Sequence, residues 1–367
     1  MKKIVFVTPQ IKSGGGNRVF FELANVLVND YEVQIIYPNN SEEINTFSID
    51  ERIKFKSIGE FEHNKIGKIK NVINTFFYLN KYEKESRIIT SDPIMSVLGF
   101  LLTVKLRYRF VQADDYNIFN DGMIIQSKLL LRIYKVLAKI SFRYNYSFIF
   151  NSHYSSRKFC EQYRSFKKDI KIVYPALNHS IFNSTERKTF KSDKIQLCLV
   201  ARKHPLKGLK TFIDAWSTMS TAIKEKVEKV VLISHDDLSD FDVSEFIVVK
   251  PKSDKEIVKV YQESDIFIST SYSEGFGLPP LEAMACGCGV ITSDSGGVSE
   301  FAINNVNCIV FSPGDYKSLQ IEIEGLINNN QKLRELQMNG VESAKFFNWD
   351  FSAKKIIQIF DHLELNN

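Results

Sequence analysis

Residues 271–300 read SYSEGFGLPPLEAMACGCGVITSDSGGVSE, and this stretch decides the fold class. The apolar run Ile266–Thr270 before it predicts a strand. Pro279 and Pro280 predict the first turn of a helix, because proline is best tolerated there. The helix is expected to end at Gly287, since glycine commonly terminates helices. A strand, a glycine-containing loop and a helix in this order are typical of a parallel α/β domain.

Two carboxylates flank the start of this helix, eight positions apart: Glu274 in the loop and Glu282 in the first turn. Backbone N–H groups at a helix start, here around Gly277 and Leu278, favour an anionic or polyhydroxylated ligand. Carboxylates beside them can accept hydrogen bonds from sugar hydroxyls. Taken alone, the two residues are also explained as an exposed acid and a charge that suits the helix dipole.

The pattern E-G-F-G-L-P-x-L-E-A-M-A-C-G resembles the E-x7-E signature of glycosyltransferase family 4, which comprises retaining sugar transferases of the GT-B fold. The resemblance implies an α/β protein with two doubly wound Rossmann-like domains facing a central cleft. It also implies that Glu274 contacts the transferred sugar and Glu282 the ribose hydroxyls of the nucleotide. Further donor contacts are implied at four residues of the loop and helix start: Gly275, Phe276, Gly277 and Leu278.

Length and composition set the bounds of this interpretation. A chain of 367 residues, 44% hydrophobic and 25% charged, is typical of a globular protein with two domains. No apolar run reaches the ~18 residues that span a bilayer, and the start of the chain lacks a signal-peptide core. Both features predict a cytoplasmic protein. The five cysteines are odd in number and scattered, so neither a disulfide framework nor a zinc site at Cys286 and Cys288 is expected.

Strand and helix patterns alternate through the first half of the chain and restart after the polar segment 185–194. This organisation predicts two Rossmann-like domains, over residues 1–180 and 181–348, whose ligands bind beyond the carboxyl ends of the strands. The resemblance assigns acceptor binding to the first domain and nucleotide-sugar binding to the second. It also implies that the amphipathic helix 349–363 packs back on the first domain. Within the first half, the pattern predicts a helix over residues 93–105.

A basic loop follows the first strand of the second domain and contains Arg202, Lys207 and Gly208. A solvated surface loop would explain these residues if they stood alone. The resemblance favours a function, because they match the R-x(n)-K-G pair that binds the donor diphosphate. Fixed cations stabilise a departing diphosphate without a metal. The predicted catalytic residues are therefore Glu274, Arg202 and Lys207, with no metal or other cofactor required.

A glycine cluster, Gly14-Gly15-Gly16, follows the first strand and opens a helix. Its amides could face a phosphate, although a purely structural tight turn explains the cluster equally well. No acidic residue ends the second strand, so a dinucleotide-binding site is not predicted. The resemblance implies that Gly15 and Gly16 face the donor phosphates and the acceptor.

Three further polar features lie outside these motifs. Gln112, Asp114 and Asp115 end a strand where family members commonly carry a histidine, and they either contact sugar and acceptor or form a polar turn. Glu300 is expected to open a helix as its cap. The pair Asp240 and Asp242 matches a D-x-D metal motif, but its polar surroundings predict a solvated loop.

Basic residues are concentrated in the first half, with 27 Lys and Arg against 17 Asp and Glu in residues 1–180, and 21 against 26 in the rest. An anionic partner is therefore expected for the first half only. No nucleic-acid-binding motif is present, and the inner leaflet of a membrane fits better. Residues 128–143 alternate apolar and basic side chains at helical spacing. They suit a membrane interface, but a helix packed on its own sheet with a basic outer face is preferred.

These features together predict a retaining glycosyltransferase that moves a hexosyl unit from a nucleotide-diphosphate sugar to a hydroxyl of a glycan or lipid-linked acceptor. Bacterial cell-surface polysaccharide assembly is the expected setting, and the expected location is cytoplasmic with peripheral membrane contact. Two alternatives stay open: a catalytically silent subunit that binds nucleotide sugars, and a GT-B epimerase or phosphorylase.

Overall fold

The computed structural model describes residues 2–11, 15–41, 48–120, 125–164, 166, 169–187 and 194–365, with only the backbone at 363–365. The chain divides into two compact units. The first comprises Met1–Pro175 with Trp349–Asn367, and the second comprises Ala176–Asn348. From the sequence, the boundary was placed slightly later, between residues 180 and 181. Gly14 of the glycine cluster lies outside the described residues.

The first unit is built on a parallel sheet whose strands are β1 (Lys3–Val7), β2 (Glu32–Pro38), β3 (Lys54–Ile58), β4 (Arg87–Thr90), β5 (Arg107–Val111) and β6 (Ser147–Phe150). Their order in the sheet is β3-β2-β1-β4-β5-β6. The helices between them are α1 (Gly15–Leu27), α2 (Lys65–Tyr82), α3 (Pro93–Val97) and α4 (Lys128–Ser141), and α5 (His153–Gln162) follows β6.

The second unit repeats this architecture. Its strands are β7 (Ile195–Val200), β8 (Val227–Ile233), β9 (Ile247–Val249), β10 (Ile266–Ser269), β11 (Gly289–Ser293) and β12 (Ile309–Phe311), in the order β12-β11-β10-β7-β8-β9. Its helices are α6 (Leu209–Thr218), α7 (Thr221–Lys224), α8 (Asp254–Glu263), α9 (Leu278–Ala285), α10 (Tyr316–Ile327) and α11 (Asn330–Ala344). The terminal helix α12 (Trp349–Leu365) belongs to the first unit, where the Phe360 ring packs against Tyr108 at 4.8 Å.

Helices cover both faces of the first sheet, because side chains alternate along each strand. Val5 and Val7 join a core that contains Phe76 of α2, Met95 of α3 and Ala138 of α4. The intervening Phe6 points to the other face, where its ring meets Phe20 of α1 at 4.9 Å. Helices α2, α3 and α4 therefore lie together on one face of the sheet.

Two sequence predictions were wrong in detail, and one helix of the first unit was missed. The helix predicted over 93–105 ends at Val97, and a 3₁₀ turn follows at Gly99–Leu101. The hydroxyls of Tyr144 and Tyr146 donate to the carbonyls of Val97 and Gly99. In a longer helix these carbonyls would accept from backbone N–H groups one turn further on, so the tyrosines from a distant part of the chain take the place of those donors. Glu300 ends a 3₁₀ turn that begins at Gly297 rather than opening a helix. Helix α5 was not predicted.

Each sheet has one point at which the strand order reverses. In the first sheet it lies between β1 and β4, and in the second between β7 and β10. Loops that leave neighbouring strands in opposite directions separate there, which opens a crevice at the carboxyl edge of the sheet. Among the described residues, no helix is both long enough and apolar enough to span a membrane.

Candidate active site

The switch point of the second sheet joins the two loops that carry the predicted catalytic residues. One loop follows β7 and contains Lys207, and the other follows β10 and contains Glu274. The Tyr272 N–H donates to the Leu206 carbonyl at 2.8 Å, and the Thr270 hydroxyl donates to the Lys207 carbonyl at 3.1 Å. These bonds fix the two loops side by side.

A glycine is required at position 208 for this approach. Gly208 has φ +64°, and a Cβ there would lie 2.1 Å from the Thr270 carbonyl oxygen. Any other residue would push the two loops apart, because that distance is far inside van der Waals contact. The glycine of the R-x(n)-K-G pattern therefore positions Lys207, which ends the short 3₁₀ turn Pro205–Lys207.

Lys207 and Glu274, which were predicted from separate motifs, form an ion pair. The Lys207 Nζ donates to Glu274 Oε1 at 2.7 Å, and the Ser271 hydroxyl donates to the same oxygen at 2.7 Å. Both charged side chains are partly exposed, so the pair is accessible from solvent. Ser271 was not identified from the sequence. Its position, three residues before Glu274 in the same loop, was the available signal.

The backbone of Glu274 is held by a second glycine loop, which follows β11. The Glu274 N–H donates to the Ser295 carbonyl at 2.8 Å, and the Gly297 N–H donates to the Glu274 carbonyl at 2.9 Å. A Cβ on Gly297 would lie 2.3 Å from the carbonyl carbon of Gly275. Gly297 therefore lets this loop pack against the backbone of residues 274 and 275. This contact fixes the position from which the Glu274 side chain extends.

The start of α9 follows immediately. Gly277 has φ +98°, and no side chain of the described residues caps the helix. Pro279 and Pro280 carry no N–H, so fewer amides remain for a ligand than an ordinary helix start would offer. The amides of Gly277 and Leu278, on which the prediction rested, precede both prolines.

Phe276 and Leu278 were predicted to contact the donor, but their side chains pack in the protein interior. The Phe276 side chain is buried and packs against the rings of Phe301 and Phe347. Leu278 is also buried. Their side chains hold the loop to the core, and they would reach a ligand only through the backbone. Gly275 lies between Glu274 and Phe276, in close contact with Gly297.

Glu282 lies in α9 and is buried. The hydroxyl of Tyr261 donates to its Oε2 at 3.4 Å, a long hydrogen bond. Burial, and secondly the charge of Glu282, raises the pKa of Tyr261, so the phenol stays protonated as a donor. The predicted contact between Glu282 and the ribose hydroxyls stays a prediction.

Arg202 pairs with a carboxylate that the sequence did not reveal as its partner. Its Nε donates to Asp236 Oδ2 at 2.9 Å, and the Lys203 N–H donates to the same oxygen at 2.8 Å. Asp236 follows β8, the neighbour of β7, so the strand order explains the meeting. Burial alone would raise the pKa of the Asp236 carboxyl, but the two hydrogen bonds hold it below its ordinary value.

The first unit gathers its own polar groups at its switch point. Gly15 and Gly16 begin α1, and the Gln112 side-chain amide donates to the Gly16 carbonyl at 3.2 Å and to the Ser91 hydroxyl at 2.7 Å. The loops after β1, β4 and β5 are thereby linked. Ser91 was missed, although the carboxyl end of β4 lies beside that of β1. The assignment of Gly15, Gly16 and Gln112 to a binding site stays a prediction.

Asp114 and Asp115 have different environments. The Asp114 carboxylate accepts from the backbone N–H of Asn117 at 3.2 Å and from its side-chain amide at 2.8 Å, which is the geometry of a polar turn. Asp115 is buried and pairs with Arg109 at 2.8 Å, so of the two alternatives left open for this residue the structural one is favoured. Burial raises the pKa of Asp115 to about 6, although Arg109 opposes this shift.

No group of three His, Cys, Asp or Glu side chains within the described ranges could hold a metal ion. The two aspartates of the D-x-D motif have other partners. Asp240 pairs with Lys203, and Asp242 accepts from the Ser244 hydroxyl at 2.7 Å.

Comparisons with known proteins agree with this architecture. Residues 181–343 match the family model described as glycosyl transferases group 1. The chain is 26% identical to N,N'-diacetylbacillosaminyl-diphospho-undecaprenol alpha-1,3-N-acetylgalactosaminyltransferase of Campylobacter jejuni, over 80% of this chain and 82% of that protein.

Solved structures extend the likeness to the whole chain. Sucrose-phosphate synthase from Thermosynechococcus elongatus has a TM-score of 0.81 at 17% identity, over 100% of this chain and 100% of that one. Anabaena HepE in complex with UDP and glucose has a TM-score of 0.71 at 18% identity, over 99% of this chain and 100% of that one.

Two parallel six-stranded sheets with helices, together with these neighbours, define a GT-B fold and confirm the predicted fold class. Over residues 181–343 the chain is similar to the group 1 glycosyl transferases, and together with the relatives this match supports the predicted likeness to family 4. It is a glycosyltransferase.

Proposed function

We propose that the protein is a retaining hexosyltransferase. It moves a hexosyl unit from a nucleotide-diphosphate sugar to a hydroxyl of a glycan or lipid-linked acceptor. The setting is bacterial cell-surface polysaccharide assembly, on the cytoplasmic face of the membrane. The observation that carries the proposal is the contact between Lys207 and Glu274 at the switch point of the second sheet.

The two charges suit the two ends of the bond that breaks. When the bond between the anomeric carbon and the diphosphate oxygen breaks, its electron pair stays on the oxygen, where negative charge grows. A cation there stabilises the transition state, which is the role proposed for Lys207 and Arg202. Positive charge grows on the sugar, and a carboxylate beside it, Glu274, stabilises that charge.

Retention needs no nucleophile from the protein in this scheme. The acceptor hydroxyl attacks the anomeric carbon from the face that the diphosphate leaves, and its proton passes to a diphosphate oxygen. The new C–O bond replaces the broken one, and the products are a glycoside and a nucleoside diphosphate. The polar groups at the switch point of the first unit, Gln112 and the start of α1, are proposed to contact the acceptor.

The relatives support the substrate classes. The name of the Campylobacter jejuni transferase specifies a diphospho-undecaprenol acceptor, which supports a lipid-linked acceptor here. The Anabaena structure holds UDP and glucose, which makes a UDP-hexose the first donor to test. A thermal-shift screen with UDP-, GDP- and dTDP-sugars would identify the donor. We expect one nucleotide to raise the melting temperature more than the others, because ligands stabilise the state that they bind.

A donor-hydrolysis assay tests the proposal against a catalytically silent subunit. A transferase releases nucleoside diphosphate from its donor, slowly to water and faster with an acceptor. A silent subunit would bind the donor, with the same thermal shift, and release nothing. An epimerase or phosphorylase would be recognised by its products, an epimeric sugar or a sugar phosphate.

We also propose that the reaction needs no metal. In this proposal Lys207 and Arg202 supply the cations for the diphosphate, so activity should persist in excess EDTA. Initial rates with and without EDTA should agree within about twofold, since a metal that stabilised the leaving group would contribute several kcal/mol. Loss of activity that Mg²⁺ or Mn²⁺ restores would contradict this proposal.

A further inference from the structure

Helix α4 exposes apolar side chains that the fold leaves uncovered. Its buried side is narrow and consists of Tyr134, Ala138 and Ser141. A second group of side chains, here called the apolar face of α4, is 39–66% exposed: Leu129, Leu130, Ile133, Val136, Leu137 and Ile140. The expectation that the outer face of this helix is merely basic is therefore wrong, because six large apolar residues lie on it.

Basic residues form a separate line beside the apolar face. Lys128, Arg132, Lys135 and Lys139 follow one another at spacings of four, three and four residues, which places them along one side of an α-helix. At 100° per residue, this line adjoins the apolar face on the side away from the buried residues. The helix thus presents to solvent an apolar surface with a cationic border, and it is roughly 20 Å long.

The neighbouring segments continue this surface. Ile94 in α3 and Phe100 in the following turn are exposed. The ring of Phe100 meets Tyr144 edge to face at 6.0 Å, and the Tyr144 hydroxyl holds the Val97 carbonyl, so this segment lies beside the end of α4. Helix α2, which packs in the same core, also exposes Ile66, Ile69 and Phe77.

The charge of this layer has one sign. No aspartate or glutamate occurs in residues 65–82, 93–112 or 128–143, whereas lysine or arginine occurs in all three. Isolated exposed apolar residues are ordinary on protein surfaces, but contiguous apolar surface with a cationic border indicates a binding site. Its chemistry complements a surface that offers both anionic groups and hydrocarbon.

We infer that the apolar face of α4 is the surface by which the protein docks on an anionic lipid bilayer. The apolar side chains enter the boundary between headgroups and acyl chains, and Lys128 and Arg132 reach the anionic headgroups. Lys135 and Lys139 lie over the Tyr116 ring at 5.0 Å and add positive charge beside this surface. A second copy of this chain fits less well, because a two-fold interface pairs this surface with itself and so offers its basic residues no anionic partner. The inference deepens the proposed function, since it names the membrane-facing surface of an enzyme proposed to use lipid-linked acceptors.

Vesicle sedimentation of the full chain tests this surface. One set of vesicles contains phosphatidylcholine alone, and the other contains phosphatidylcholine with phosphatidylglycerol. We expect binding to the anionic vesicles to be at least roughly tenfold tighter, and to weaken as salt is raised, because salt screens the attraction between the basic residues and the negative surface.

Two double variants separate the apolar and the charged contributions. Ile133→Gln with Ile140→Gln should weaken binding to anionic vesicles by roughly tenfold or more, through lost insertion. Lys128→Gln with Arg132→Gln should weaken it similarly and reduce its salt dependence. The matched control is Ile321→Gln with Met338→Gln, two apolar residues on helices of the second unit that are even more exposed, and it should bind within about twofold of wild type.

Three results would overturn the inference. The first is that wild-type protein does not sediment with anionic vesicles at low salt, and the second is that the Ile133/Ile140 variant binds like wild type. The third is that wild-type protein forms a dimer without vesicles and the Ile133/Ile140 variant is monomeric. The proposed reaction is tested separately by donor hydrolysis without vesicles, which the Ile133/Ile140 variant should retain. A protein that binds vesicles but releases no nucleoside diphosphate would refute the reaction and leave the docking surface intact.

Discussion

Replacing Lys207 with alanine is expected to lower turnover by two or more orders of magnitude. Lys207 is assigned to the diphosphate, so its loss removes a cation from the oxygen on which charge develops. At ~1.36 kcal/mol per decade, the change corresponds to roughly 2.7 kcal/mol of transition-state stabilisation or more. Initial rates of nucleoside diphosphate release, measured with saturating donor, would give the result.

Lys210→Ala is the matched control for this substitution. Lys210 lies three residues further along the chain and pairs with Asp214 on the exposed side of α6 at 2.7 Å. Its removal takes away the same charge close to the loop but should change turnover by less than about twofold, because an exposed ion pair contributes little. Both variants should melt near the wild-type temperature. Wild-type turnover in Lys207→Ala, or an equal loss in Lys210→Ala, would contradict the assignment.

The sequence predicted the fold class and the main residues of the second unit because their signals are local. A glycine cap, two prolines at a helix start and the spacing of Glu274 and Glu282 all lie within one βα unit. Turn and cap preferences act over a few residues, so the structure of such a unit can be predicted from its own sequence.

Residue partnerships across strands could not be predicted in this way. Asp236 meets Arg202 only because β8 lies next to β7, and Ser91 meets Gln112 only because β4 lies next to β5. The outcome for Asp115 depended on burial, since the sequence does not show which of two adjacent aspartates faces Arg109. Likewise, the helical spacing of residues 128–143 separated apolar from basic side chains but did not show which side chains the sheet would cover.

Glu282→Gln is expected to weaken the binding of free nucleoside diphosphate and of nucleotide sugar by similar amounts. Glu282 is assigned to the ribose hydroxyls, which are present in both ligands and do not change during the reaction. One charge-assisted hydrogen bond contributes about 1–2 kcal/mol. Glutamine keeps the shape of the side chain and an oxygen for the Tyr261 hydroxyl, so the buried site should remain folded.

Glu274→Gln is expected to have the opposite profile: turnover falls by roughly two orders of magnitude or more, while the affinity for free nucleoside diphosphate is not reduced. The carboxylate is assigned to the sugar, on which positive charge develops only in the transition state, so its loss affects the rate rather than diphosphate binding. The structure sharpens this expectation. The Glu274 charge pairs with Lys207 at 2.7 Å, so neutralising it leaves the lysine at least as available to a diphosphate. Glutamine can still accept from Lys207 and from the Ser271 hydroxyl, which limits any displacement of the loop.

Calorimetric titration of both variants with the free nucleoside diphosphate, together with initial rates, distinguishes the two roles. The expected pattern is weaker binding in Glu282→Gln and unreduced binding with very low turnover in Glu274→Gln. Ser271→Ala serves as the control for position, because it removes a hydrogen bond to Glu274 but keeps the carboxylate and its pair with Lys207. Its turnover should therefore fall less than that of Glu274→Gln, by roughly one order of magnitude for the loss of one hydrogen bond to a charged group. If Glu274→Gln weakened diphosphate binding as much as Glu282→Gln, the separation of sugar and ribose roles would be wrong.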